Sequence, residues 1–271
     1  MRLYDAHNHL QDERLASQAN ALMAECRAAG VQKMVVNGSC EEDWPRVLAL
    51  ARQFPEVLPS FGYHPWHVQE HTPDWQTRLT SFLDQVPSAV GEIGLDRWIE
   101  NYDLPLQEEM FIAQLRIAAD RNLPVSIHCL QAWGRLHEIL QAGPRPACGF
   151  LLHSYGGSRE MVKPLAKLGA YFSFPGYFAH TRKARQRETF LAVPFDRLLV
   201  ETDAPDQLPP ENLIAHPLND GSSGKPLNHP ANLQSIYGFL AEFLQRPLEQ
   251  FATQIEQNWQ QLFGGLLKPS A

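Results

Sequence analysis

The chain has 271 residues, 44% hydrophobic and 20% charged, so it is long and apolar enough for one large domain or two small ones and is not intrinsically disordered. No run approaches the roughly 20 apolar residues that span a bilayer, and the start of the chain lacks a signal-peptide pattern, so we expect a cytoplasmic protein without membrane contact. The 23 Lys and Arg against 30 Asp and Glu give a net charge of −7, which excludes a protein that coats duplex DNA by long-range attraction.

Eight short apolar runs alternate along the chain with segments of helical period. Seven of the runs are followed by such a segment, for example residues 15–29, 106–121 and 132–141, which is the pattern of parallel strands joined by crossover helices. The predicted strands are residues 3–6, 31–37, 57–63, 89–93, 124–128, 148–153, 170–174 and 197–202.

Eight strand–helix units favour an α/β fold in the form of a closed (β/α)8 TIM barrel over an open doubly wound sheet, which usually has five or six strands. Residues 207–228 are rich in Pro, Gly, Asn and Ser and predict a long loop, and residues 230–244 and 248–263 predict two closing helices. We therefore expect a single barrel domain over residues 1–271. Its active site should lie at the mouth, the end of the barrel where the strands reach their carboxyl termini.

Six histidine and carboxylate side chains stand at the predicted ends of five strands. Each alone suits a structural role, because a strand-end histidine is often a hydrogen-bonded core residue and a buried glutamate often belongs to a salt bridge. Their shared position at the mouth instead indicates one site. The six residues are His7 and His9 after the first strand, Glu92 in the fourth, His128 in the fifth, His153 in the sixth and Asp203 after the eighth.

These donors predict a centre for two divalent metal ions. A strand places His7 and His9 on one face, and Glu92 is a carboxylate within an apolar strand, where burial is costly without a compensating cation or hydrogen bonds. Four imidazoles and two carboxylates suffice for two ions about 3.5 to 4 Å apart, which activate water so that no protein nucleophile is needed. We expect Zn²⁺, Mn²⁺ or Mg²⁺, with the nitrogen donors favouring Zn²⁺, Mn²⁺, Co²⁺ or Fe²⁺ over Mg²⁺.

Short motifs run through nearly the whole chain. They are Asp5-x-His7-x-His9-Leu10, Gly62-Tyr63-His64-Pro65, Gly91-Glu92-Ile93-Gly94-Leu95-Asp96, Leu123-Pro124-Val125-x-Ile127-His128, His153 with Gly157-Ser158, Glu201-Thr202-Asp203-Ala204-Pro205 and Asn228-x-Pro230. With these motifs the chain resembles the TatD family of metal-dependent hydrolases, within the amidohydrolase-like barrels. The resemblance implies metal-dependent phosphodiester hydrolysis, typically deoxyribonuclease activity.

The resemblance also implies a role for each site residue. Glu92 would bridge the two metal ions, Asp203 would bind one of them and deprotonate the attacking water, and His64 would face the scissile group as a hydrogen-bond donor or acid. Asp96 and Glu201 would hold ligands or loops in place. The implied ligands are His7, His9, Glu92 and Asp203 for the first ion and Glu92, His128 and His153 for the second.

The chain departs from the family around the substrate. Leu130 stands where many members have an Arg two residues after the fifth-strand histidine, and His229 stands where members often carry Glu. The loop over residues 206–227 also looks longer than usual. These departures spare the metal ligands, so hydrolysis is better supported than any particular substrate.

Some cationic and aromatic residues near the mouth are candidates for nucleic-acid contact. A basic run after the seventh strand suits a phosphate backbone, although such a run is more often a solvated helix face. Three aromatic residues are candidates to stack on bases, although loop aromatics also simply cover barrel ends. The basic run is Arg182, Lys183, Arg185 and Arg187, and the aromatic residues are Trp66, Trp98 and Tyr155.

Three hypotheses follow from the sequence. The first is a two-metal phosphodiesterase acting on DNA ends, single strands or a small phosphoester. The second keeps the metals but hydrolyses a small amide, lactone or ester, and Glu92 argues against it because many such barrels use a carboxylated lysine there. The third is a catalytically silent barrel used for binding.

Overall fold

The computed structural model describes residues 1–267, and eight parallel strands in chain order form its main sheet. Most strand residues are buried, which is typical of parallel strands covered on both faces. The strands are β1 (Leu3–Asn8), β2 (Val31–Asn37), β3 (Val57–Phe61), β4 (Ala89–Asp96), β5 (Val125–Leu130), β6 (Phe150–Leu152), β7 (Ala170–Pro175) and β8 (Leu198–Glu201).

Helices connect consecutive strands and surround the sheet. Their apolar faces bury Leu, Val, Ile and aromatic side chains against the strands. The helices are α1 (Glu13–Ala16), α2 (Ala19–Ala28), α3 (Trp44–Gln53), α4 (Trp75–Leu83), α5 (Leu104–Arg121), α6 (Trp133–Ala142), α7 (Arg159–Lys167), α8 (Ala184–Thr189), α9 (Leu233–Phe243) and α10 (Leu248–Phe263).

The last strand returns to the first, so the sheet forms a nearly closed barrel. Asp203 N–H donates to the His7 carbonyl at 3.0 Å, just beyond β8. The Asp5 carboxylate accepts from the Thr202 backbone N–H at 3.0 Å and from its hydroxyl at 2.6 Å. The predicted (β/α)8 barrel is thereby confirmed, and the carboxyl ends of all eight strands meet at one mouth.

The first predicted helix is in fact two helices. Residues 15–29 read as one periodic segment, but α1 ends at Ala16 and α2 starts at Ala19. In α1, Arg14 pairs with Asp12 and Asp206, which fixes this turn to the mouth. The α2 helix instead buries its apolar side against the barrel, so tertiary contacts override the local helical period.

The connection from β7 to β8 is also less regular than predicted. Its helix α8 has six residues and is flanked by single 3₁₀ turns, because the basic run carries no apolar stripe to extend the packing. After β8, the predicted long loop contains a 3₁₀ turn and a hairpin of two-residue strands, β9 (Leu218–Asn219) and β10 (Pro226–Leu227).

The closing helices match their predicted positions. The α10 helix has the predicted bounds, and α9 begins after a 3₁₀ turn over Pro230–Asn232. Within residues 1–267, every helix is too short or too polar to cross a membrane.

Candidate metal centre

The six predicted donors converge on the mouth of the barrel. They line or adjoin a cavity of about 730 Å³, and five of the six are buried. Of these donors, His7 lies in β1, Glu92 in β4 and His128 in β5, while His9, His153 and Asp203 closely follow β1, β6 and β8.

Glu92 lies at the middle of the cluster and faces a different pair of imidazoles with each carboxylate oxygen. Its Oε2 is 3.3 Å from His7 Nε2 and 3.2 Å from His9 Nε2. Its Oε1 is 3.0 Å from His128 Nδ1 and 2.8 Å from His153 Nε2. The cluster therefore has two sides that share one carboxylate.

Asp203 adds a second carboxylate to the side of His7 and His9. Its Oδ1 is 3.6 Å from the Nε2 atoms of both histidines. Its Oδ2 accepts a hydrogen bond from Gln207 Nε2 at 2.5 Å, and the same amide nitrogen donates to Ser154 Oγ at 2.6 Å. Gln207 thus fixes the rotation of the carboxylate and leaves Oδ1 directed at the imidazoles.

Hydrogen bonds on the far side of two imidazoles determine which nitrogen faces the cluster. His9 Nδ1 lies 2.8 Å from the Asn37 carbonyl, which can only accept, so Nδ1 carries a proton. His128 Nε2 lies 3.0 Å from Asp96 Oδ2 and donates to that carboxylate. The opposite nitrogen of each ring is the one available to a metal ion, which is the usual arrangement of metal-binding histidines.

The other two imidazoles are held in a similar way. His7 Nδ1 is 2.8 Å from Ser126 Oγ. His153 Nδ1 is 3.6 Å from Glu201 Oε1, too far for a hydrogen bond but close enough for charge interaction. Glu201 is itself fixed by the Ser154 backbone N–H at 2.7 Å and by its hydroxyl at 2.6 Å. Both rings direct Nε2 at the cluster.

The arrangement fits bound cations. Glu92 Oε1 and Asp203 Oδ1 are buried and accept no hydrogen bond from residues 1–267. His7 Nε2 and His9 Nε2 lie 3.2 Å apart, and His9 Nδ1 is the nitrogen that bonds the Asn37 carbonyl. The inward nitrogens of both rings therefore point to the same place. Buried acceptors that converge without donors are stable when a cation lies between them. Nitrogen and carboxylate donors in this mixture suit a divalent metal ion.

The charges of the cluster are strongly coupled. Although burial opposes an ionised carboxylate, the surrounding imidazoles, His153 foremost, hold the pKa of Glu92 well below its usual range. Burial lowers the pKa of His7 to about 3, whereas the hydrogen bond and charge of Glu92 outweigh burial and raise the pKa of His9 to about 9. Burial raises the pKa of Asp203 to about 7. Metal ions therefore compete with protons for these donors.

His64 faces the cluster with a nitrogen that carries a proton. Its Nδ1 accepts the Trp66 backbone N–H at 3.1 Å, so the proton of the neutral ring is on Nε2. This nitrogen lies 3.3 Å from Glu92 Oε1, but the two atoms form no hydrogen bond. Burial lowers the pKa of His64 to about 4, so the ring is neutral at pH 7. His64 is therefore a hydrogen-bond donor rather than a metal ligand.

Two sequence interpretations of the mouth need correction. Tyr155 is fully buried and cannot stack on a base, because its ring packs edge-on against Trp133 and Phe172. Trp66 is exposed and lines the cavity, whereas the exposed Trp98 lies outside the cavity lining described for residues 1–267.

The basic run is also less available than predicted. Arg187 Nη1 donates to three backbone carbonyls, those of Phe178, Ala179 and His180. Arg182 and Lys183 lie over the Tyr177 ring at 5.3 and 4.9 Å. In the described part of the chain, no member of the run lines the metal-centre cavity.

Sequence reasoning missed several residues that position the donors. Ser126 and Asn37 contact His7 and His9, and Gln207 contacts Asp203. Ser126 had a readable signal, since it is a polar residue inside an apolar strand. Gln207 had none, because it lies in a loop whose path depends on the whole barrel.

A comparison with protein families identifies one matching family, whose model is described as "TatD related DNase" and matches residues 4–264. Among curated proteins, the chain is 30% identical over 269 residues to an Escherichia coli protein named 3'-5' ssDNA/RNA exonuclease TatD, with 97% of this chain and 99% of that protein covered. It is 29% identical over 265 residues to the E. coli metal-dependent hydrolase YjjV, with 97% and 98% covered.

Solved structures show the same fold. The crystal structure of E. coli YjjV, a TatD homologue, aligns with a TM-score of 0.87 at 27% identity over 97% of this chain and 98% of that one. A TatD family hydrolase from Entamoeba histolytica aligns with a TM-score of 0.83 at 15% identity, again over 97% and 98%, and supports the fold alone. The mouth of the barrel is therefore the region to test for chemistry.

Proposed function

The chain belongs to the family of TatD-related DNases, a family of metal-dependent hydrolases, and on that premise we propose that it hydrolyses phosphodiester bonds at the ends of single-stranded DNA. The observation that carries this proposal is the position of Glu92, whose two oxygens face two separate sets of buried donors. A carboxylate placed in this way suits a bridge between two cations, as in two-metal phosphodiesterases.

We assign the donors to two ions. Glu92 Oε2, His7, His9 and Asp203 would hold one ion, and Glu92 Oε1, His128 and His153 the other. The nitrogen-rich donor set favours Zn²⁺ or Mn²⁺ over Mg²⁺. Divalent ions held by these residues would supply positive charge that polarises a phosphoryl oxygen and acidifies water.

Asp203 is the group that accepts a proton from the attacking water. It is buried at the cavity, and burial raises its pKa to about 7, which a nearby cation lowers towards the ionised form that a base requires. Gln207 donates to Oδ2 and holds the carboxylate in one orientation. An oriented carboxylate loses less entropy on reaching the transition state.

His64 stabilises the scissile group by hydrogen bonding. Because its Nδ1 accepts the Trp66 backbone N–H, its neutral ring presents Nε2–H to the cavity. The low pKa of His64 argues for a neutral donor and against a role as an imidazolium acid. A fixed donor at the place where negative charge develops lowers the activation barrier of the reaction without reorganisation.

The proposed substrate class rests on the E. coli relative named as a single-strand exonuclease and on the shape of the mouth. A cavity of about 730 Å³ is large enough for one nucleotide and part of its neighbour. A single-stranded end brings a phosphodiester to the donors without unpairing bases.

The test is cleavage of a labelled single-stranded oligonucleotide by protein loaded with Zn²⁺, Mn²⁺ or Mg²⁺. Asp203→Asn should lower kcat/KM by about 10²- to 10⁴-fold, because it removes the proton acceptor. Glu42→Gln makes the same charge change at an exposed residue of the same cavity and should stay within about threefold of the parent.

Two outcomes would contradict the proposal. Equal cleavage by Asp203→Asn and the parent would show that the base is elsewhere. Turnover of a lactone or amide panel without cleavage of any oligonucleotide would assign the chain to amide or ester hydrolysis instead.

A further inference from the structure

One exposed aromatic side chain at the mouth is anchored to Asp96, the carboxylate that orients His128. Trp66 follows His64 by two residues and is 55% exposed, yet its indole Nε1 donates to Asp96 Oδ2 at 2.7 Å. The same Asp96 oxygen accepts from His128 Nε2 at 3.0 Å. The edge of the indole is therefore fixed, while a large part of its surface remains open to the cavity.

We propose that Trp66 is the platform on which an unpaired base of the substrate stacks next to the metal centre. This inference rests on the proposed function and adds a residue that selects nucleotides over other phosphodiesters. Base stacking on an exposed aromatic ring tolerates any sequence, because every base presents a π face.

The position of Trp66 suits the base of the nucleotide that is being cleaved. Its ring centroid is 4.8 Å from that of His64 and 6.3 Å from that of His128. A base and its phosphate are separated only by a sugar. A phosphodiester beside His64 would therefore bring its own base or the neighbouring one over the indole.

The remainder of the mouth supports this placement. Leu130, which is exposed and lines the cavity, pairs in register with Asp96 and so extends the apolar surface beside Trp66. The part of the cavity lining that follows β1 and β2 carries Asp12, Glu42 and Asp43, and the two arginines there, Arg14 and Arg46, lie in ion pairs. Acidic side chains repel phosphates, so an apolar base is better placed on the side of Trp66.

The hydrogen bond to Asp96 also orders the Trp66 side chain before a base binds. An exposed Trp side chain loses rotamer freedom when a ligand orders it. Because Trp66 Nε1 already donates to Asp96, this side chain has lost that freedom in the free protein. A platform held in advance binds a base more tightly than a mobile one.

Three variants separate stacking from scaffolding. Trp66→Ala removes the ring and the hydrogen bond to Asp96, whereas Trp66→Phe removes the hydrogen bond and keeps an aromatic face. Trp98→Ala is the matched control, because Trp98 is also exposed but lies outside the cavity lining found in residues 1–267. Thermal denaturation of each variant establishes that the fold is intact.

The measurement is the dissociation constant of a labelled single-stranded oligonucleotide, followed by anisotropy in the metal-loaded Asp203→Asn protein, which should bind without cleaving. Adding Trp66→Ala should weaken binding by about 5- to 150-fold, the range for one base–aromatic stack. Trp66→Phe should weaken it less, and Trp98→Ala should not change it. An oligonucleotide with abasic sites near its end should bind with the same affinity whether or not the protein carries Trp66→Ala.

Separate outcomes would refute the Trp66 platform and the proposed hydrolysis. If Trp66→Ala weakens binding of intact and abasic oligonucleotides equally, Trp66 acts through Asp96 and the platform is refuted. Unchanged binding of the intact oligonucleotide refutes it as well. If binding depends on Trp66 and on the base but the parent cleaves nothing, the platform stands and the proposed hydrolysis is wrong.

Discussion

At the scale of single residues, the hydrogen bond on one nitrogen of an imidazole decides the use of the other. His9 and His128 donate outward and turn to the cluster the nitrogen that can bind a metal ion, whereas His64 accepts from a backbone N–H and turns a proton to the cluster. The same rule applies to His229, whose Nδ1 accepts the Ala231 N–H at 2.9 Å. Its Nε2 is therefore a donor.

This assignment excludes a metal site that distances alone would allow. His229 Nε2 and His216 Nδ1 lie 3.3 and 3.1 Å from Glu25 Oε2, close enough to surround one ion. Because His229 Nε2 carries the proton of the neutral ring, it has no lone pair to offer an ion, and it faces Glu25 without a hydrogen bond in the described chain. The group joins the long loop after β8 to α2.

His229 predicts a pH dependence of stability. It is 2% exposed, and burial lowers its pKa to about 4, against about 6.5 in an unfolded chain. Between these values the unfolded state binds the proton more tightly, so the free energy of unfolding falls as pH drops from 6.5 towards 4. His229→Asn keeps the cap on Ala231 and does not titrate.

Urea unfolding at pH 7.5 and pH 5 measures this effect. Between the two pH values, the parent should lose about 2 kcal/mol more than His229→Asn. All other titrating groups are common to both proteins, so they cancel in the comparison. An equal loss in the two proteins would mean that His229 keeps its ordinary pKa.

At the scale of elements, β4 depends on close backbone contact with its neighbours. Gly94 lies two residues after Glu92 and has a φ of 151°, and a Cβ built on it overlaps the His128 carbonyl oxygen of β5. The two strands that carry Glu92 and His128 can approach each other only because position 94 lacks a side chain.

Gly94→Ala should therefore separate β4 from β5 and disturb the metal centre. We expect a fall of at least several degrees in the melting temperature and a loss of bound metal, measured by calorimetry and by metal analysis after dialysis. Gly134→Ala is the control, because the described structure leaves the space around Gly134 in α6 open and Ala favours a helix. A Gly94→Ala protein with the metal content and melting temperature of the parent would contradict this account.

The same scale shows which elements were predictable. The eight strands and α10 were predictable because short apolar runs and helical periods are local signals. The break between α1 and α2 was missed because it depends on the ion pairs of Arg14 with Asp206, 192 residues away in the chain. The helix expected after β7 is only six residues long because the basic run there has no apolar face to pack against the barrel.

At the scale of the whole molecule, the barrel explains why the clustering of the six predicted donor side chains was predictable from the sequence and the residues that position them were not. Strand ends are readable, and the topology of a barrel brings them together. The partners Asn37 and Gln207 contact the donors through a carbonyl and an amide whose positions follow only from the closed fold. The prediction that Tyr155 could stack on a base was wrong because a residue just after a strand can turn into the core as well as towards solvent.

The charge of the molecule also bears on how it binds a polyanion. The net charge is −7, and the cavity lining contributes two cationic side chains in the described chain, Arg14 and Arg46. Arg14 is paired with Asp12 and Asp206, each at 2.8 Å, and Arg46 lies 3.4 Å from Glu13. Both arginines already face carboxylates, so neither adds an unpaired positive charge to the cavity.

Salt should therefore affect the enzyme less than it affects nucleases with basic grooves. Each phosphate neutralised on a single strand contributes a slope of about −0.7 to the logarithm of affinity against the logarithm of salt concentration. With metal ions and base stacking as the main contacts, kcat/KM measured on a single-stranded oligonucleotide from about 50 to 300 mM KCl should give a slope between 0 and about −0.7. Replacing Arg182 and Arg185 with Gln should leave it unchanged. If the parent gave a salt slope of about −3 and the double variant a slope closer to 0, the basic run after β7 would be shown to hold the nucleic acid.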